Sequence, residues 1–183
     1  MGAYFITFNC YGTHWRGDDR GSVDRVRRTR GGPIAASPEL VAYGQRSMTN
    51  SAIELDLLQA QIVLESLRAT CAFRGWVMLA VHVRSTHVHA VVDGIGDPRA
   101  AMRDLKAYAS RALNRERKRP WWARGGNTLR LDNREAVRKA VCYVAEKQGV
   151  PIALYVDLSP ESVHSRIRQL SSISIPILAG MGV

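Results

Sequence analysis

Residues 75–93 read Gly75-Trp76-Val77-Met78-Leu79-Ala80-Val81-His82-Val83-Arg84-Ser85-Thr86-His87-Val88-His89-Ala90-Val91-Val92-Asp93. Two β-branched, apolar runs flank Arg84-Ser85. This pattern predicts two strands, 75–83 and 86–93, joined as a hairpin. In the first strand Val77, Leu79, Val81 and Val83 alternate onto one side, and Trp76, Met78, Ala80 and His82 onto the other. In the second, Val88, Ala90 and Val92 share a face, while His87, His89 and Val91 share the opposite one. The valine-rich face predicts helices packed upon it. The other face is mixed and carries the histidines. A turn at Arg84-Ser85 would set His82 across from His87.

The flanking chain supplies the rest of the pattern. Ala3 to Asn9 is β-prone and predicts a first strand. Gly12 to Pro33 predicts a loop with Arg16, Arg20, Arg25, Arg27, Arg28 and Arg30 among glycines, either a solvated insertion or a segment touching phosphates. Ser37-Pro38-Glu39 combines an N-cap, a first-turn proline and a dipole-matched acid, starting a short helix to about Ser47. Ile53, Leu57, Leu58, Ile62, Leu64 and Leu67 recur at helical spacing and predict a long amphipathic helix over 51–73. A further helix is expected over 98–118, with Tyr108 inside its apolar face. A short strand, Thr128 to Leu131, is followed by a helix capped by Asp132 or Asn133 that runs to about Gln148, where Gly149 and Pro151 end it. Ile152 to Val156 predicts a last strand. The order strand, helix, hairpin, helix, strand predicts an α+β, β-α-β-β-α-β split unit with helices on one face of an antiparallel sheet.

At 183 residues the chain has room for one compact domain and short additions. The division expected is a catalytic-size domain over 1–158, with the basic loop 12–33 inside it, and a helix and apolar tail over 159–183. No apolar run approaches the roughly 20 residues of a membrane span, and Met1 to Cys10 does not read as a secretory leader. Cys10, Cys71 and Cys142 are scattered and form no CxxC, which argues against a disulfide framework or a thiolate zinc site and fits a cytoplasmic setting. Lys plus Arg number 26 against 16 acids, a net charge of +10. Such a balance suggests a polyanionic partner. Arginine outnumbers lysine 22 to 4, and guanidinium groups fork phosphate oxygens and stack on bases.

His87-Val88-His89 is the sharpest local signal. Two residues apart on a strand, both imidazoles leave one face roughly 7 Å apart at the backbone, which lets them converge on one divalent ion. A pair of structural histidines would look the same. His82 is a supporting partner of the pair, a third ligand or a residue of the sheet surface. Histidine-triad nucleotide hydrolases need a third alternating histidine where this chain has Val91. Two-histidine phosphoesterases need two His-x-Ser/Thr repeats, which are absent. On the helix after Asn133, Val137, Val141 and Val144 form a buried stripe. Tyr143 lies at its border, between Lys139 and Lys147. A free phenol, with a pKa of about 10, is a poor nucleophile unless cations or a polarised phosphate assist it.

The segment from Leu79 to Val92 resembles the His-hydrophobic-His (HUH) motif of single-tyrosine transposases. Leu105 to Asn114 is similar to the helix after that motif, and Tyr143-Val144-Ala145-Glu146-Lys147-Gln148-Gly149 to their tyrosine helix. Tyr11 to Asp18 and Arg20 to Arg25 resemble a stretch of REP-associated tyrosine transposase-like proteins. The resemblance spans roughly residues 3–150. It implies a ferredoxin-like (RRM-like) domain, usually homodimeric, with the histidines on a central strand. It implies a metal-dependent DNA strand transferase or nickase. His87, His89 and a polar residue of the tyrosine helix would hold Mg²⁺ or Mn²⁺, and Tyr143 would attack a phosphate of single-stranded DNA, which would carry a hairpin. The family's amide ligand lies four residues after the tyrosine, about 40° away on a helix. Gln148 is five on, about 140° away, and position four is Lys147. Three readings stay open: the helix unwinds near Gly149, Glu146 substitutes, or the site is incomplete. Arg20, Arg25, Arg27, Arg28, Arg115, Arg117, Lys118 and Arg119 would contact DNA. Trp121 and Trp122 either stack bases or cover the core. Two other functions compete: a noncatalytic single-stranded nucleic-acid binding protein (a domesticated transposase relic) and a phosphoesterase acting on small nucleotides.

Overall fold

The computed structural model describes residues 1–19, 22–23, 33–115 and 118–157. The expected 159–183 helix and tail lie outside these residues. Strand β1 spans Gly2–Asn9. Two short strands, β2 (Ser22–Val23) and β3 (Pro33–Ile34), pair with each other at the base of the arginine-rich loop. Helices α1 (Pro38–Arg46) and α2 (Leu57–Arg74) precede strands β4 (Val77–Val83) and β5 (His87–Ile95). Helix α3 (Pro98–Leu113), strand β6 (Asn127–Leu131), helix α4 (Arg134–Glu146) and strand β7 (Ala153–Val156) complete the order. The main sheet is β6-β1-β5-β4-β7, antiparallel throughout. Without β7 this is the split β-α-β-β-α-β unit expected from the sequence, and β5 is its central strand.

Helices α2 and α3 lie on the valine-rich face. Ile6, Phe8, Val81, Val83, Val88, Ala90 and Val92 meet Val63, Leu67, Leu105 and Ala109 in one core. The expectation of helices on one face only is corrected by α4, which lies on the opposite, histidine-bearing face, where its apolar stripe, Val141 and Val144, packs on Ala3, Ala80, Val91 and Leu131. The helix starts are set by side-chain caps. Ser37 accepts from the Leu40 amide, Asp97 from Arg99 and Asn133 from Ala136.

Four further sequence expectations are corrected. Helix α2 starts at Leu57, not near residue 51, because Asp56 and Gln59 form a capping box. Ile53 and Leu55 are buried in extended chain instead, tied to Tyr11 and Ser85 by their amides. The true buried stripe of α2 is Ala60, Val63, Leu64, Leu67 and Cys71, while Leu57 and Leu58 face outward. Helix α3 stops at Leu113, since Asn114 caps it and accepts from Arg119 N–H and the Trp121 indole, so the basic run leaves the helix. In β4 a bulge between Met78 and Ala80 breaks the alternation. Trp76 and Met78 therefore join Val81 and Val83 in the α2/α3 core, and Leu79 joins Ala80 on the α4 side. The hairpin turn is centred on Ser85-Thr86, with Arg84 N–H bonded to His87 C=O, so His82 pairs with His89 rather than His87.

Phe8 is fully buried between the sheet and its helices. Phe8→Ala should lower the unfolding free energy by about 3–5 kcal/mol, and the cap variant Asp56→Ala by about 1 kcal/mol. Urea titrations that found Phe8→Ala no more destabilising than Asp56→Ala would contradict the packing of Phe8 in this core.

Candidate active site

Strand β5 lies between β1 and β4, so both histidines are flanked by paired backbone. The His87 and His89 rings meet edge to face, with centroids 4.8 Å apart. A hydroxyl engages Nδ1 on each ring: Thr86 Oγ1 at 2.9 Å from His87, and Thr7 Oγ1 at 2.9 Å from His89. Thr7 is the register partner of His89 across β1. Phe5, on the same face of β1, stacks on His89 with planes 7° apart and centroids at 5.5 Å. His89 is only 8% exposed. Burial first, then the neighbouring His87, His82 and Arg84, push its pKa down to about 3, against a hydrogen bond with the Gln148 side chain. The imidazole is thus neutral at physiological pH, the form that binds metals.

The end of α4 brings the other groups to this face. Tyr143 is 46% exposed and stands edge-on to Phe5 and His89, with centroids at 5.9 and 6.2 Å. The helix ends at Glu146, Lys147 forms its cap, and Gly149 takes φ +71°. Gln148 therefore leaves the helical path. Its side chain is 8% exposed and bonds to His89, although a continuous helix would aim it about 140° from Tyr143. Two side chains of the β4 end fasten this turn. His82 Nδ1–H donates to the Val144 carbonyl at 2.9 Å, and Arg84 Nη1–H donates to the Gln148 carbonyl. Both carbonyls lie where a helix runs out of its own donors. A Cβ at Gly149 would stand 3.2 Å from Arg84 Nη1, so glycine suits both the turn and the guanidinium. His82 is fully buried, and its pKa is lowered chiefly by that burial.

Among the described residues no three His, Cys, Asp or Glu side chains could hold one ion together. Glu146, exposed at the helix end, is thus not gathered with the two histidines. The third nearby donor is the Gln148 amide. Two imidazoles and one amide oxygen would suit an ion that accepts mixed ligands and keeps open positions, Mn²⁺ better than Mg²⁺. Hydroxyls on both Nδ1 atoms orient the rings in the way metal-binding histidines are usually held.

The other expected site residues are dispersed. Trp121 is 3% exposed in the α2/α3 core, with its indole N–H on Asn114. It offers no open face to a base. Trp122 is half-buried, edge-on to Phe8 at 5.0 Å, and donates to the Lys106 carbonyl. Tyr108, expected in the core, is half-buried in the outer groove between α2 and α3, beneath Arg111 and close to Arg115. Lys118 and Arg119 line a separate cavity, and Arg119 lies over the Trp121 ring. Arg20, Arg25, Arg27, Arg28 and Arg117 fall outside the described residues. The sequence reading missed Phe5, Thr7 and Arg84. Phe5 and Thr7 carried a usable signal, since they alternate with the buried Ile6 and Phe8 on β1.

No family model matches the chain, and no curated protein matches it closely. Among solved structures, a REP-associated tyrosine transposase bound to a REP hairpin is similar at 17% identity and a TM-score of 0.46, covering 81% of this chain and 70% of that one. A likeness of that degree transfers no activity, substrate or site residue.

The buried imidazole gives a pH signature. The unfolded chain takes up a proton below about 6.5, whereas the folded state resists until about 3. Stability is complete above the unfolded value and falls with pH between the two, with a slope of up to about 1.4 kcal/mol per pH unit from this group. Denaturant titrations of His89→Gln should show a shallower decline than the parent between about pH 6.5 and 5. An identical slope would mean that His89 is solvated in solution.

Proposed function

We propose that this chain is a metal-dependent single-strand DNA transesterase of the HUH transposase kind, with Tyr143 as nucleophile and His87, His89 and Gln148 as ion ligands. The observation that carries the reading is convergence on one sheet face. Two paired imidazoles, a buried amide turned toward them and an exposed phenol come from one strand and from a helix and its end, far apart in sequence. A structural histidine pair requires neither a phenol presented to solvent nor a helix end broken to bury an amide beside it.

A bound divalent ion supplies Lewis-acid polarisation of the scissile phosphate. The chain's own residues do the rest. The stacked Phe5 and His89 rings meet the Tyr143 ring edge-on and help position it. Thr7 and Thr86 fix the imidazole orientations. The Tyr143 oxygen, losing its proton to solvent, forms a bond to phosphorus as the bond from phosphorus to the 3′ oxygen breaks. That oxygen leaves as a 3′ hydroxyl after taking up a proton, and the 5′ phosphate stays on the tyrosine as a diester. A later 3′ hydroxyl reverses the sequence and rejoins a strand. One phosphodiester is exchanged for another, so no nucleotide triphosphate is consumed. The net charge of +10 suits a polyanionic substrate.

Incubation with Mn²⁺ and single-stranded DNA containing hairpins should give a denaturant-stable protein–DNA adduct. Tyr143→Phe should abolish it and His87→Ala should nearly do so. Thr7→Val should lower Mn²⁺ affinity or the adduct rate by about 10–100-fold. An adduct that persists in Tyr143→Phe would identify another nucleophile. Strand binding without any adduct in the parent, indifferent to metal and to His87→Ala, would make the chain a noncatalytic strand binder. Turnover of small nucleotides without attachment would make it a phosphoesterase.

A further inference from the structure

A second cationic feature lies at the sheet end that carries His87. Met48, Thr49, Asn50, Ser51, Lys118 and Arg119 line an open cavity of about 390 Å³. That volume falls in the range of small-ligand pockets. None of the lining residues is a carboxylate. Two are cations and three carry a hydroxyl or an amide.

Its walls are tied together through one residue. Tyr11 N–H donates to the Trp121 carbonyl at 3.0 Å, which anchors the wall that holds Lys118 and Arg119. The Tyr11 carbonyl accepts from Ile53 N–H at 2.9 Å, and its phenol oxygen accepts from Thr49 N–H at 3.1 Å, which anchors the wall from Met48 to Ser51. Gly12, at φ +74°, lets the backbone close onto this wall: a Cβ there would collide with Met48 Cε and stand 3.0 Å from Ala52 Cα. Arg119 N–H is held by Asn114, and its guanidinium lies 5.5 Å from the Trp121 ring centroid. The pocket is therefore organised before any ligand arrives.

Its position relates it to the candidate active site. Asn9 is the register partner of His87, and Cys10 N–H bonds the Thr86 carbonyl at 2.8 Å. Tyr11 thus follows two residues beyond the partner of His87, in the turn after β1. We infer that this pocket is a subsite for backbone phosphates of the single strand, flanking the position where Tyr143 would act. The inference rests on the strand-transfer reading for its substrate. Lys118 and Arg119 supply charge, and Thr49, Asn50 and Ser51 supply neutral donors, a set that grips phosphate oxygens without reading bases.

The test separates this subsite from catalysis by using Tyr143→Phe protein without metal and a fluorescein-labelled single-stranded oligonucleotide, read by anisotropy over a salt series. In that background, Lys118→Ala with Arg119→Ala should weaken binding about tenfold and reduce the salt slope by about 1.4, roughly 0.7 for each phosphate no longer neutralised. Because Arg119 also packs on Trp121, Asn50→Asp provides a second arm. It should weaken binding by charge repulsion at an unchanged melting temperature. Unaltered affinity and slope in both arms would overturn the inference, whether or not the parent forms an adduct. A missing adduct in the parent, with both variants still weakened, would sink the strand-transfer reading alone and leave the phosphate subsite in place.

Discussion

Everything on the histidine-bearing face depends on how the last turn of α4 is tied to β4. A helix end exposes carbonyls that its own ladder cannot satisfy, and such ends commonly fray. Here His82 and Arg84, two residues apart on one face of the strand, reach the carbonyls of Val144 and Gln148. The first holds the helix one residue past Tyr143, and the second holds the loop that carries Gln148. Phenol and amide are thereby fixed against the same strand that leads, through a tight turn, to His87 and His89. The whole constellation is assembled within a single chain.

Much of this architecture is legible from residues alone. The alternation of Val88, Ala90 and Val92 against His87 and His89 identifies the inward and outward faces of β5. Ser37, Asp97 and Asn133 announce their helices by hydrogen-bonding chemistry that acts locally. What stays hidden is long-range. The bulge in β4 shifts Trp76 and Met78 to the other face through an irregular pairing that no periodicity encodes. The Ser85-Thr86 turn moves His82 from His87 to His89 by a one-position slip. Ile53 continues the apolar spacing of α2, yet it belongs to an extended segment stitched to Tyr11.

The candidate site shows the same division. Its histidines and tyrosine carry distinctive spacing and stand out as candidates without coordinates. Their supports do not, because Phe5 and Thr7 sit on β1 and acquire meaning only through the register of β1 with β5. Gln148 is a sharper case. Helical geometry argues against it, and only the end of α4 at Glu146 with the left-handed Gly149 turns it inward. Aromatic residues mislead in the opposite direction. Trp121 looks like a stacking platform in a basic stretch, but its indole closes the core around Asn114.

The irregularity between Met78 and Ala80 also shifts the phase of one strand between its two ends. Met78 before it and Val81 and Val83 after it meet the helical core, while His82 and Arg84 turn to α4. A strictly regular strand would transmit any gain or loss of one residue after α2 as a rotation of every later side chain. A phase break absorbs such a change before it reaches the hairpin. The histidine-bearing face thus keeps its phase independently of how the chain enters β4 from α2.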